Sequence, residues 1–97
     1  MALELGTDLG IENVEALKQQ LAPLLAAKRK VIIDATAVTR VHTASLQVLC
    51  AFARERRGAG QVTVLEPCAQ TLLDAAQLLG VSAELGLAEK QIAPGVI

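Results

Sequence analysis

The stretch Val31–Leu49, VIIDATAVTRVHTASLQVL, constrains this chain more than any other. Three β-branched residues, Val31, Ile32 and Ile33, run into Asp34; a compact loop follows, and helical apolar spacing begins at Thr43. A continuous run of strand formers predicts a buried central strand. A strand that turns through a short loop into a helix is the building unit of α/β layers.

The flanking sequence repeats that unit. Ala2–Leu5 alternates weakly and reads as a short edge strand, followed by a turn region over Gly6–Gly10. Ile11, Val14, Leu17, Leu21, Leu24 and Leu25 then follow helical spacing, with Asn13 as the expected cap and Glu15 in the first turn. Pro23 removes a backbone donor and is expected to kink or weaken this helix. Lys28, Arg29 and Lys30 are expected at its C-terminal end, where positive charge complements the helix dipole.

The helix from Thr43 is expected to run to about Arg57 and stop at Gly58-Ala59-Gly60. Gln61–Leu65 predicts another strand, closed by Pro67. A third helix is expected over about Cys68–Leu79, with Leu72, Leu73, Ala76 and Leu79 inward and Gly80 as its stop. Val81–Leu87 adds a short final turn, and the tail, residues 88–97, is expected to be loosely held. The order strand, helix, strand, helix, strand, helix with short connections predicts one α/β domain over residues 1–97, its core about 3–87.

Composition narrows the function. The chain has 97 residues, 53% of them hydrophobic, enough to fill one core, yet its only aromatic is Phe52. A net charge of -1 and the missing aromatics argue against a nucleic-acid binder, which needs cationic surface and stacking platforms. Two cysteines and one histidine do not make a disulfide framework or a conventional zinc site. The start MALELGTDLG has no signal-peptide pattern, and no apolar run reaches membrane-spanning length. A cytoplasmic location is the expectation. Phosphate-loop and dinucleotide motifs are missing from the sequence, so no nucleotide site is signalled. Cys50 reads as core, and Cys68 as a cap or a partly buried thiol.

Attention therefore falls on the helix from Thr43. Leu46, Leu49, Cys50 and Ala53 form its inward stripe, while Ala44, Gln47, Val48, Ala51 and Glu55 face outward with Phe52 at the margin. An outward face so small and weakly charged over two turns suits close approach by another protein. Thr43 is a preferred N-cap type. A phosphate placed there would meet free backbone N–H groups at a positive helix end. His42 beside Thr43 does not make a triad by adjacency. Asp34, a strand-end acid, lacks the companion carboxylates of a metal-dependent phosphoacceptor.

These residues resemble the STAS domain family, found in bacterial anti-sigma factor antagonists and sulfate-transporter tails. The family pattern is an apolar strand ending in Asp, a loop, and Asp-Ser/Thr-x-Gly-Leu opening a helix. Here it reads Ile32-Ile33-Asp34, Val38-Thr39-Arg40-Val41 and His42-Thr43-Ala44-Ser45-Leu46. The resemblance continues through Gly60–Leu65 and Leu72–Val81, and covers about Leu3–Leu87. It implies a mixed β-sheet of about four strands with helices mainly on one face, a non-enzymatic role and no cofactor or metal. It also implies that Thr43 is the position phosphorylated by a serine-kinase anti-sigma partner. The partner-binding set is Asp34, Arg40, His42, Thr43, Ala44, Ser45, Gln47, Val48 and Ala51. Two positions depart from the pattern: His42 replaces the family's Asp, and Ser45 replaces its Gly. A threonine followed by a small residue is also similar to the STAS subunit of lipid-asymmetry ABC transporters, which binds an ATPase subunit without being phosphorylated.

Overall fold

The computed structural model describes residues 2–87. Strand β1 (Ala2–Glu4) and strand β2 (Asp8–Leu9) precede a 3-10 turn at Ile11–Asn13, which leads into helix α1 (Val14–Leu21). A second 3-10 turn, Ala22–Leu24, precedes strand β3 (Val31–Ala35) and strand β4 (Arg40–Val41). Helix α2 (Thr43–Gly58), strand β5 (Thr63–Cys68) and helix α3 (Gln70–Leu78) complete the order. The expected strand–helix alternation is present. The expected tail, residues 88–97, lies outside the described residues.

The sheet differs in detail from the expectation of about four mixed strands. The three longer strands pair in the order β1-β3-β5, and β2 pairs with β4. All of these pairs are parallel. The two extra strands, two residues each, sit where the sequence reads as a Gly6–Gly10 turn and a loop before Thr43. Segments this short carry too little periodicity to be read as strands. Only their mutual pairing defines them.

β3 is central, as expected, but it is not buried on both faces. Val31, Ile33 and Ala35 are buried, whereas Ile32 between them is 37% exposed. With period-two alternation, one face of the sheet carries the core and the other meets solvent. Leu17 and Leu21 of α1, and Leu46, Leu49, Cys50 and Phe52 of α2, join the buried β3 side chains in one cluster. Burial pushes the Cys50 thiol pKa up, with the Glu84 carboxylate adding to the effect. An inert core thiol results.

Several local expectations change. β5 runs past Pro67 to Cys68 instead of closing there. The register shifts from Ile33↔Leu65 to Ala35↔Cys68, so the ladder bulges around a residue that has no N–H to donate. Asn13 occupies the cap position of α1 without a side-chain cap bond; its Nδ2 donates to the Asp8 carbonyl instead (3.1 Å). Pro23 sits in the 3-10 turn after α1, so the helix tightens and ends there as anticipated. Ile11, on the turn before α1, is 53% exposed and falls off the buried stripe. α3 begins at Gln70, two residues later than the pattern suggests, and Leu79 just beyond it is 44% exposed. Gly60 and Gly80 adopt positive φ (78° and 73°), the left-handed conformation that ends a helix at low cost for glycine.

Candidate functional site

The start of α2 is fixed by β2. The Leu9 carbonyl accepts from the His42 backbone N–H (2.9 Å) and from the Ser45 hydroxyl (2.7 Å). Ser45 is fully buried. Its expected role as a partner contact is therefore corrected. A glycine in that place would leave the carbonyl one donor short, while serine ties the first helical turn to the neighbouring strand. Upstream, the Thr7 carbonyl accepts from the Thr39 N–H (2.7 Å), the Arg40 N–H (3.2 Å) and the Thr39 hydroxyl (3.1 Å). Backbone and side-chain bonds together hold the β4–α2 junction rigidly.

The cap is His42, not Thr43. The His42 Nδ1 accepts from the Ala44 N–H (3.0 Å), with His42 itself in extended conformation and Thr43 as the first helical residue. This bond assigns the imidazole proton to Nε2. An imidazole thus performs the acceptor role that the family's aspartate has the chemistry to perform. The consequence falls on Thr43. Its side chain is exposed, and its hydroxyl has no hydrogen-bond partner among the described residues. The threonine that the sequence offers as a cap is released from that task.

Around this hydroxyl the surface is small and weakly polar. Gln47 and Ala51 are exposed, and Ala44 and Val48 are half-buried. Phe52, expected at the margin of this face, is instead 5% exposed and belongs to the core. Arg40 points its Nη1 between Asp8 (3.2 Å) and Glu12 (3.2 Å), an exposed cluster linking β4 to the entry of α1. Surface pairs of this kind contribute little stability, so Arg40 retains its charge for exchange with another acid.

Asp34 serves its own loop. Its carboxylate accepts from the Thr36 hydroxyl (2.6 Å) and the Thr36 N–H (2.9 Å). The hydroxyl first, and the N–H after it, hold the carboxyl pKa below the usual 3.8 of an aspartate. The sequence grouped Asp34 with Thr43; the structure gives its side chain a turn-forming role after β3. His42 likewise directs Nδ1 at its own helix backbone and not at the Thr43 hydroxyl. A nucleophile–base pair is not formed between these neighbours.

Sequence reasoning missed Arg56. It is fully buried near the end of α2. Its Nε donates to the Thr63 hydroxyl (2.7 Å), Nη1 to the carbonyls of Leu24 (2.9 Å) and Ala27 (2.8 Å), and Nη2 to those of Arg29 (3.0 Å) and Val62 (2.9 Å). The guanidinium also lies 5.8 Å from the Phe52 ring centroid. Lys28, Arg29 and Lys30, expected as a solvated end of the first helix, are all exposed, and none of them reaches the carbonyls that Arg56 takes. A cation from a different helix satisfies those carbonyls. The only sequence signal was an arginine one turn beyond the Leu49–Phe52 stripe.

No helix among the described residues is long and apolar enough to cross a membrane. No curated protein matches the chain. A family model described as Mlab, STAS domain, matches residues 1–89. With a parallel α/β sheet, an exposed hydroxyl at the start of α2 and a match over nearly the whole length, the chain belongs to the STAS domain family.

Proposed function

We propose that this STAS domain is a regulatory protein-docking module whose partner seats on the start of α2, with Thr43 at the centre of the contact. One observation carries the reading: His42 caps the helix and leaves the Thr43 hydroxyl exposed and without an internal partner. An unsatisfied hydroxyl on a rigid, low-charge face is suited to recognition by another protein. Arg40, Gln47, Val48 and Ala51 extend the contact, with Asp34 shaping the adjoining loop. The partner belongs to one of two classes of ATP-handling protein. Both act in the cytoplasm, and neither requires a cofactor or catalysis from this chain.

The first class is the ATPase subunit of a membrane-lipid ABC transporter, bound without modification. The imidazole at position 42 favours it, since the carboxylate that borders the phosphorylated hydroxyl in anti-sigma factor antagonists is replaced. The second is a serine-kinase anti-sigma factor that phosphorylates Thr43 and is thereby released. A hydroxyl on the first residue of a sixteen-residue helix favours it, because a phosphate there meets the positive helix end.

Affinity purification from the native host, with partners identified by mass spectrometry, separates the classes. Incubation of the purified pair with ATP then follows, with phosphosite mapping. Transporter-type docking predicts an unmodified complex weakened by Thr43→Ala. Switching predicts phosphate on Thr43 and loss of the complex in Thr43→Glu. Undiminished binding by Thr43→Glu and by Val48→Arg would reject the docking face altogether.

A further inference from the structure

The small-residue face of α2 continues sideways into a groove. Leu21, Ala22 and Leu25 form one wall, Val48, Ala51 and Phe52 the other, enclosing about 410 Å³. Arg56, near the end of α2, bonds to carbonyls just after α1, so the two helices run side by side in the same direction. Lys18 therefore marks the groove end nearer Thr43, and Glu55 marks the far end.

We propose that this groove receives an amphipathic helix of the docking partner, with an acidic residue toward Lys18 and a basic residue toward Glu55. The inference rests on the reading that a partner docks at the start of α2, and it specifies what part of that partner is held. One wall is α2, and the other is the last turn of α1 continued by the 3-10 turn, with the Leu24 and Ala27 carbonyls behind it already taken by Arg56, so neither wall presents an open strand edge. An extended segment would find no ladder there, whereas a helix brings its own backbone bonds satisfied. Ala22, Val48 and Ala51 are small enough to let a helix approach closely. From Val48 to Glu55 the wall is about 10 Å long, two helical turns, matching anchors at i, i+4 and i+7. A small-molecule site would need convergent polar groups, and this lining offers only the two charges at its ends. Those charges are available. Lys18 is held only by Glu15 of its own helix at 3.4 Å, and Glu55 has no ion-pair partner among the described residues.

The test uses the intact, isotopically labelled protein and three synthetic helical peptides. One has leucines at i, i+4 and i+7 with glutamate at one end and lysine at the other. The second has glutamate at both ends, and the third is a scramble of the first. The expected result is amide shifts at Leu21, Ala22, Leu25 and Ala51 with the first peptide, and binding about tenfold weaker for the scramble. Ala22→Trp, which fills the groove at an exposed site, abolishes these shifts without lowering the unfolding temperature. Glu55→Lys weakens the first peptide about threefold and strengthens the second. Equal binding of the scramble, or shifts elsewhere, overturns the proposal. Self-association that Ala22→Trp removes also overturns it, in favour of a second copy of the chain. In the complex recovered from the host, loss of binding in both Gln47→Arg and Ala22→Trp supports the groove. Loss in Gln47→Arg alone overturns the groove and leaves the docking reading standing. Indifference to both rejects the docking reading and the groove with it.

Discussion

The two ends of α2 put their polar side chains to different uses. Every helix leaves backbone donors at its start and acceptors at its end without internal partners. At the start, the His42 imidazole accepts from the Ala44 N–H, the buried Ser45 hydroxyl donates to the Leu9 carbonyl of β2, and the neighbouring Thr43 is left free. At the far end, the N–H groups of Ala59, Gly60 and Gln61 take the last carbonyls of α2, and Arg56 turns inward onto carbonyls of the segment after α1 and of Val62, just before β5. The first arrangement keeps a polar group on the surface. The second uses one of the three arginines of the helix as internal structure. Exposed polarity at Thr43 and buried polarity at Arg56 thus sit at opposite ends of one element, the former available for binding and the latter for folding.

Breaking the buried end has the largest expected effect. Arg56→Met leaves several interior carbonyls unpaired, and should cost on the order of 4 kcal/mol, most of the stability of a small domain. Urea unfolding reads this directly. Arg56→Lys should recover little of it, because an ammonium cannot span acceptors arranged for a planar fork. A mild phenotype for either variant would mean that water replaces the guanidinium and that the two ends differ less than their geometry indicates.

At the opposite end the effects on stability and on binding run in reverse order. Ser45→Ala should cost about 1 kcal/mol through its lost bond to Leu9, and His42→Ala about 1 kcal/mol through the lost cap. Thr43→Ala should change stability by less than about 0.5 kcal/mol. In partner binding the order inverts, with Thr43→Ala giving the larger loss and Ser45→Ala, at a buried site, the smaller. If Thr43→Ala destabilises as much as His42→Ala, the threonine is the cap after all and its hydroxyl is not free.

The smallest effect concerns Asp34. Its carboxyl should titrate below 3.8 by NMR, and Thr36→Val, which removes the hydroxyl donor, should raise that midpoint. The folded-state pKa is the lower one. Its contribution is therefore present above the unfolded aspartate value and fades as pH falls through the folded value. An unchanged midpoint in Thr36→Val would show that the hydroxyl bond is not formed in solution.

Legibility followed the length of the pattern. α1, α2 and α3 carry apolar spacing over two or more turns, and the β-branched run of β3 is unmistakable, so their order could be read directly. β2 and β4 could not, since two residues have no period and become strands only by pairing with each other. Within the site, Thr43, Ala44, Gln47, Val48 and Ala51 were legible as an outward helical face. The cap was not. Threonine is the commoner N-cap type, and choosing His42 required the backbone bend between β4 and α2. Ser45 was misplaced for a related reason. Helical spacing alone gave no sign that β2 would bring a carbonyl within reach of its hydroxyl.

The order of amino acids alone sets the class of this protein: alternating strands and helices, one core, a hydroxyl at the start of a bare helix and the STAS pattern around it. These are properties of local spacing, and spacing is written in the chain. Which polar groups are consumed and which remain follows from contacts between elements. Arg56 and Ser45 went inside, His42 turned onto its own helix, and Thr43 was left exposed beside the groove between α1 and α2. For Arg56 and Ser45 those outcomes depend on acceptors supplied by segments distant in sequence, and for His42 on the backbone bend between β4 and α2. No local pattern carries that information.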